Sequence, residues 1–226
     1  MANHNTQRDA LSSDQRLRVT EIFYSLQGES RPAGYPTIFI RLTGCPLRCQ
    51  YCDTAYAFHG GGWWGIDRIV DTINRYKTRE VCVTGGEPLA QSNCHRLLKA
   101  LCDADFEVSL ETSGAIDIVS VDPRVTVVMD IKTPGSGEVD RNLWSNLESL
   151  KSQDQLKFVI CNRADYDWSC AMLVAHGQTD KCDVLFSPSY KQMDPTELAE
   201  WILEDQLQVR LQLQLHKYLW GEAPGH

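Results

Sequence analysis

The chain has 226 residues, 42% of them hydrophobic, with nine cysteines and a formal net charge of −8. That length can bury a substantial core in one domain, and the acidic balance excludes a broad phosphate-backbone surface, which needs a basic face. No nucleic-acid partner is expected, and no membrane partner either, because no apolar run approaches the ~20 residues of a spanning helix.

In chain order, residues 1–17 are polar and aperiodic and read as a flexible tail, with 18–226 as a single domain. The opening lacks the apolar core of a secretory signal, so nine cysteines point to a reducing, cytoplasmic compartment rather than to disulfides. Alternation over 18–25 predicts a strand, stopped by the glycines and prolines of 26–36. An apolar strand over 37–42 then runs into a loop, RLTGCPLRCQYCDT, and Gly60-Gly61-Gly62 precedes a helix over 66–76 with Ile66, Ile69, Val70 and Ile73 on one face. Further strands are predicted over 80–84, 107–111, 125–131, 156–160, 184–187 and 209–215, with helices over 94–104, 141–150, 166–175 and 195–204. Strands alternating with amphipathic helices imply parallel pairing and right-handed crossovers. Six such units predict an α/β fold, a partial (β/α)6 TIM-like barrel, with an open doubly wound sheet as the alternative.

The loop carries Cys45, Cys49 and Cys52 in the spacing C-x3-C-x2-C, just past a strand's C-terminal end. Cubane iron–sulfur clusters are normally held by four thiolates, so three leave one iron open to another ligand. The competing reading is structural zinc with His59 as fourth ligand. The other six cysteines, Cys82, Cys94, Cys102, Cys161, Cys170 and Cys182, stand singly among apolar neighbours and read as small buried hydrophobes.

In α/β folds ligands bind at the carboxyl ends of the strands. There stands TGGEP, Thr84 to Pro88, whose glycines allow close backbone approach to a ligand and whose Glu87 can hold an ammonium group. ETSG, with Ser113, and DIKTPGSGE, with Lys132, follow later strands, as does FSPSY with Ser187. These suit a ribose or carboxylate, or simply cap the next helix.

The cysteine triplet resembles the signature of the radical S-adenosylmethionine (SAM) enzymes, and TGGEP resembles their GGE motif. The order LQGES, RPAGYPTIFIRLTGCPLRCQYCDT, TGGEP, ETSG and QLHKY, spanning about 19–219, resembles the 7-carboxy-7-deazaguanine synthases. That resemblance implies a radical SAM barrel with a 4Fe-4S cluster on Cys45, Cys49 and Cys52, SAM, and Mg2+ on Thr54. It implies ring contraction of 6-carboxy-5,6,7,8-tetrahydropterin to 7-carboxy-7-deazaguanine with loss of ammonia, a step toward queuosine. Carried over by position, Leu26, Gln27, Gly28, Arg41, Thr84 and Glu111 go to the pterin and Gly86 and Glu87 of the GGE motif to SAM, while Ser113, Lys132 and Ser187 are read as SAM contacts from their place at strand ends, DIKTPGSGE differing from the SPK version of some members. The chemistry rests on cluster and SAM, with no catalytic side chain. A flavodoxin or ferredoxin as electron donor and a homodimer are implied as well. This chain departs from the family by running on past HKY through WGEAPGH, so no C-terminal contact is carried over. Two alternatives stand beside this reading: a glycyl-radical-activating enzyme with the same triplet, and a non-catalytic zinc-stabilised module.

Overall fold

A computed structural model of the chain describes residues 15–177, 181–221, 223 and 225. Its frame is one nine-stranded sheet. The first two strands, β1 (Arg16–Leu26) and β2 (Pro36–Leu42), pair antiparallel with Ile22 opposite Ile40. The short β3 (Gly62–Gly65) lies antiparallel on the outer side of β1. From β2 onward every neighbour is parallel: β4 (Glu80–Gly85), β5 (Glu107–Thr112), β6 (Thr126–Ile131), β7 (Gln155–Ile160), β8 (Asp183–Pro188) and the two-residue β9 (Arg210–Leu211). The sheet order is β3-β1-β2-β4-β5-β6-β7-β8-β9. It is open, and it curls enough for Glu29, just after β1, to touch Lys157 on β7 at 2.6 Å. The expected partial barrel is thus present, extended at its first edge by two antiparallel strands.

Helices cover the outer face because their apolar residues recur at helical spacing. Helix α1 (Ile66–Ile73) buries Ile66, Ile69 and Ile73, and α2 (Cys94–Asp103) buries Leu97, Leu98 and Leu101. In α4 (Arg163–His176) the Asn162 side chain caps the start by accepting from Asp165 N, and left-handed Gly177 ends it. Helix α5 (Pro195–Glu204) starts with Pro195 behind Asp194, whose carboxylate accepts from Thr196 N. Between sheet and helices lies the core, where Leu156, Phe158 and Ile160 of β7 are at most 1% exposed. Alternation along that strand turns Lys157 and Val159 to the other, concave side.

Four expectations are corrected. The helix predicted over 141–150 is a single turn, α3 (Asn146–Ser149). Asn142 bonds both the N–H and the C=O of Lys132, and Asn146 bonds Gly114 O, Ile116 O and Ile118 N. Those amides bind other loops and compete with helical bonding. The strand predicted over 209–215 is only Arg210–Leu211, and the chain then turns into α6 (Leu215–Trp220), whose first N–H donates to Gly28 O at 2.9 Å. β3 went unpredicted because its four residues are bounded by glycine at each end. The sheet begins at Arg16, with Leu17 fully buried, so both leave the predicted tail, whose first fourteen residues lie outside the described ones. Among the described residues no helix is long and apolar enough to cross a membrane.

Candidate active site

The ends of β2, β4, β5, β6 and β8 and the turn after β1 surround one cavity of about 460 Å³. Cys45, Cys49 and Cys52 line one side. Leu26, Gln27, Gly28, Arg41, Thr54, Thr84, Gly86, Glu111, Ser113, Lys132 and Ser187 line the rest. Of the residues assigned from the sequence to cluster, Mg2+, pterin or SAM, only Glu87 is missing from these walls.

Glu87 is fully buried and already satisfied. Its carboxylate accepts from Leu89 N at 3.0 Å, from Thr112 Oγ1 at 2.9 Å and from Ser113 N at 2.7 Å, and from the Ser113 hydroxyl as well. Through these bonds Glu87 ties the end of β4 to the end of β5. The glycines before it also serve packing. A Cβ on Gly86 would stand 2.4 Å from Gly44 O and 2.7 Å from Cys45 Cβ. One on Gly85, at φ +154°, would meet Leu42 O at 2.3 Å. Gly85 thus admits the end of β2 at close range and Gly86 the cysteine loop itself, which is pinned by Glu87 N donating to Gly44 O at 2.8 Å.

Within the loop, Cys45 Sγ accepts from Leu47 N at 3.4 Å and Cys52 N donates to Cys49 O at 3.1 Å. Thr54 Oγ1 is 3.7 Å from Cys52 Sγ. Burial pushes the Cys49 thiol up to about 11 and raises Cys45 as well, so ionisation there waits on a bound cation, which deprotonates coordinating thiols. Three free thiols on one wall of a cavity are the donor set of a cubane with one open iron. A single tetrahedral ion needs tighter convergence. No group of three His, Cys, Asp or Glu able to hold one metal ion occurs among the described residues, and His59 is exposed.

Other lining residues carry groups suited to a polar, planar ligand. Thr84 Oγ1 donates to Glu111 Oε2 at 2.8 Å. Gln27 is 2% exposed; its Oε1 accepts from Glu29 N at 3.2 Å, while Nε2 has no partner among the described residues. A buried amide without an acceptor is costly, and a ligand acceptor in the cavity would relieve it. Arg41 Nε donates to Glu21 at 2.7 Å, and the guanidinium lies between the rings of Phe23 and Tyr56, at 5.6 and 5.8 Å from their centroids. Gly28 packs against α6, since a Cβ there would come within 2.0 Å of His216 Nδ1. Burial holds the His216 imidazole below its usual range.

Several lining residues were not foreseen. Lys132 pairs with Asp130 at 3.0 Å, Asp130 lies 3.6 Å from Lys157, and Lys157 pairs with Glu29. This band of charge crosses the floor from the thiols to the Gln27 turn. Burial opposes the charge on Glu29, but the Lys157 ammonium outweighs it and holds the carboxyl at about 2. A lysine inside an otherwise apolar strand, QLKFVI, was the available signal. Across the mouth, Gln50 and Gln192 exchange two amide bonds of 3.0 Å, and Lys217 pairs with Asp53 at 3.1 Å.

Residues 39–123 match the Radical SAM superfamily. A 7-carboxy-7-deazaguanine synthase of Chlorobaculum tepidum is 45% identical over 214 residues, covering 93% of this chain and 97% of that protein. Another, from Koribacter versatilis, is 39% identical and covers 90% and 97%. The crystal structure of QueE from Escherichia coli superposes with a TM-score of 0.76 at 24% identity, covering 94% of this chain and all of that one, which shows a shared fold. Identity of this depth over nearly the whole length places the protein by descent: the chain belongs to the 7-carboxy-7-deazaguanine synthase family of the radical SAM superfamily.

Proposed function

We propose that the chain converts 6-carboxy-5,6,7,8-tetrahydropterin into 7-carboxy-7-deazaguanine with release of ammonia, using a 4Fe-4S cluster and SAM. The observation that carries this reading is that three thiols and the Gln27, Arg41, Thr84 and Glu111 set face one cavity. When bound, cluster and SAM supply one-electron cleavage of the C5′–S bond and hydrogen abstraction from the substrate carbon. The protein's share is binding, orientation and exclusion of water.

Cys45, Cys49 and Cys52 hold the cluster in this reading. Gly86, Ser113, Lys132 and Ser187 lie on the SAM side. The Gln27 Nε2 and the Glu111 carboxylate present a donor and an acceptor for the pterin edge, and Leu26, Gly28 and Thr84 complete its wall. Arg41 suits the substrate carboxylate, because its Nε is engaged by Glu21 while its other nitrogens can make a charge-assisted pair. Thr54 would offer its hydroxyl to Mg2+, an ion that takes hard oxygen ligands and would supply electrostatic stabilisation at the substrate carboxylate.

The enzyme in this reading works in the cytoplasm as a homodimer, reduced by a flavodoxin or ferredoxin; nine free cysteines suit a reducing compartment. The test is anaerobic incubation of reconstituted protein with dithionite, SAM and the carboxy-tetrahydropterin, with Cys49→Ala as control. Deazaguanine product from wild type and none from the variant is expected. Iron-loaded wild type that cleaves SAM yet leaves the pterin intact would refute the assignment and favour the activating-enzyme alternative.

A further inference from the structure

β1 and β7 are separated in the sheet by β2, β4, β5 and β6, yet the turn after β1 is held directly by β7. Lys157 Nζ lies 2.6 Å from Glu29 Oε2, and both side chains are largely withdrawn from solvent, at 14% and 13% exposed. The other Glu29 oxygen accepts from Gln214 Nε2 at 2.8 Å, and Leu215 N donates to Gly28 O at 2.9 Å. One carboxylate is thus gripped by two elements that follow it by 128 and 185 residues.

Such a pair is a poor device for stability. Removing two ions from water offsets much of their attraction, and well-packed apolar replacements of similar volume are often neutral or stabilising. Lys157 occupies a cavity-facing position next but one to Val159, where an apolar side chain would incur no such penalty. The pair instead fixes Leu26, Gln27 and Gly28, which immediately precede Glu29. Gln27 is oriented from the same residue, since Glu29 N occupies its Oε1 and leaves Nε2 for the cavity. Lys157 has a second carboxylate, Asp130, at 3.6 Å, and two acidic neighbours keep it an ammonium rather than a proton donor.

We infer that Glu29 and Lys157 are positioning residues for the pterin: their ion pair sets where the Leu26-Gln27-Gly28 turn stands in the cavity it shares with the cysteines. This rests on the ring-contraction reading above. Lys157→Met alone would strand a buried carboxylate, so the informative protein is the full-length double variant Glu29→Gln/Lys157→Met, reconstituted with cluster.

Three measurements are made on it. The urea midpoint is expected to match wild type or exceed it. The KM for the carboxy-tetrahydropterin is expected to rise about tenfold or more, with kcat and SAM affinity less affected. Amide hydrogen exchange over residues 26–31, measured without pterin, is expected to accelerate. An unchanged pterin KM with unchanged exchange would overturn the inference, as would a fall in urea midpoint that accounts for the whole loss. If wild type itself leaves the pterin intact, the substrate reading fails, and the exchange measurement alone still decides whether the pair holds the turn.

Discussion

Replacing Gly86 by alanine isolates the packing of β4 against the cysteine loop. Gly86 is not in a positive-φ conformation, so the substitution carries a steric cost and no backbone one. The new Cβ would lie 2.4 Å from Gly44 O and 2.7 Å from Cys45 Cβ. Carbon settles at about 3.3 Å from oxygen and about 3.5 Å from carbon, so the loop must retreat by about 0.9 Å at one point and about 0.8 Å at the other. One contact is a carbonyl oxygen and the other a Cβ next to the main chain, so no rotamer change relieves them. Overpacking of this kind costs about 2 kcal/mol, or about 0.7 M in urea midpoint at a slope of about 3 kcal/mol/M. Because the displaced atoms carry Cys45, metal affinity should fall roughly 10–100-fold, the range for disturbing an outer-shell partner. Iron and acid-labile sulfide per chain after reconstitution under limiting iron read the second effect. Gly34→Ala is the control: its φ is +90° with nothing within 4 Å of a Cβ, so it should lose about 1–2 kcal/mol to conformation alone and keep its iron. If Gly86→Ala binds iron as wild type does, the glycines are not there to admit the loop.

Three further outcomes follow from the same geometry. Thr84→Val removes the 2.8 Å hydrogen bond to Glu111 at almost constant volume; a bond to a charged group is worth about 1.5–3 kcal/mol, so pterin KM should rise about tenfold or more while iron content stays at the wild-type level. In Gly28→Ala the new Cβ meets the movable ring of His216, so the urea midpoint should shift by less than in Gly86→Ala, whereas pterin KM, measured in the same preparations, should rise. Glu29 is held at about 2, below its ordinary 4.5; a lowered folded-state value means stability that is present above the ordinary value and lost as pH falls toward the folded one. Urea midpoints of wild type and Glu29→Gln should therefore differ most near neutrality and converge as pH drops from about 5 toward about 2, and a gap constant over that span would exclude an ionised Glu29.

Strands such as β4 and β8 were legible because short apolar runs there stop at glycine, serine or proline, and the cavity residues were legible because they sit where those runs stop. The segment around Asn142 and Asn146 misled for a local reason: its apolar spacing is helical, but its amides bond to partners on other loops. The structural ties of Glu87 were not legible, for a distant reason: Thr112 and Ser113, which donate to its oxygens, stand 25 and 26 residues later, on β5 and just past its end. Lys157 gave only the signal of a lysine within a strand, because its meaning depends on Glu29, 128 residues away in sequence and brought near only by the curl of the sheet.

The outermost strands of that sheet are short. β3 has four residues with a glycine at each end, and β9 has two. Unpaired backbone along a rim is a template onto which another chain can add a strand, and β3 pairs only Arg16–Val19 of β1, so residues 20–26 have no strand beside them on that side among the described residues. A second chain adding a strand to this rim would therefore find its place along the later part of β1 rather than on β3.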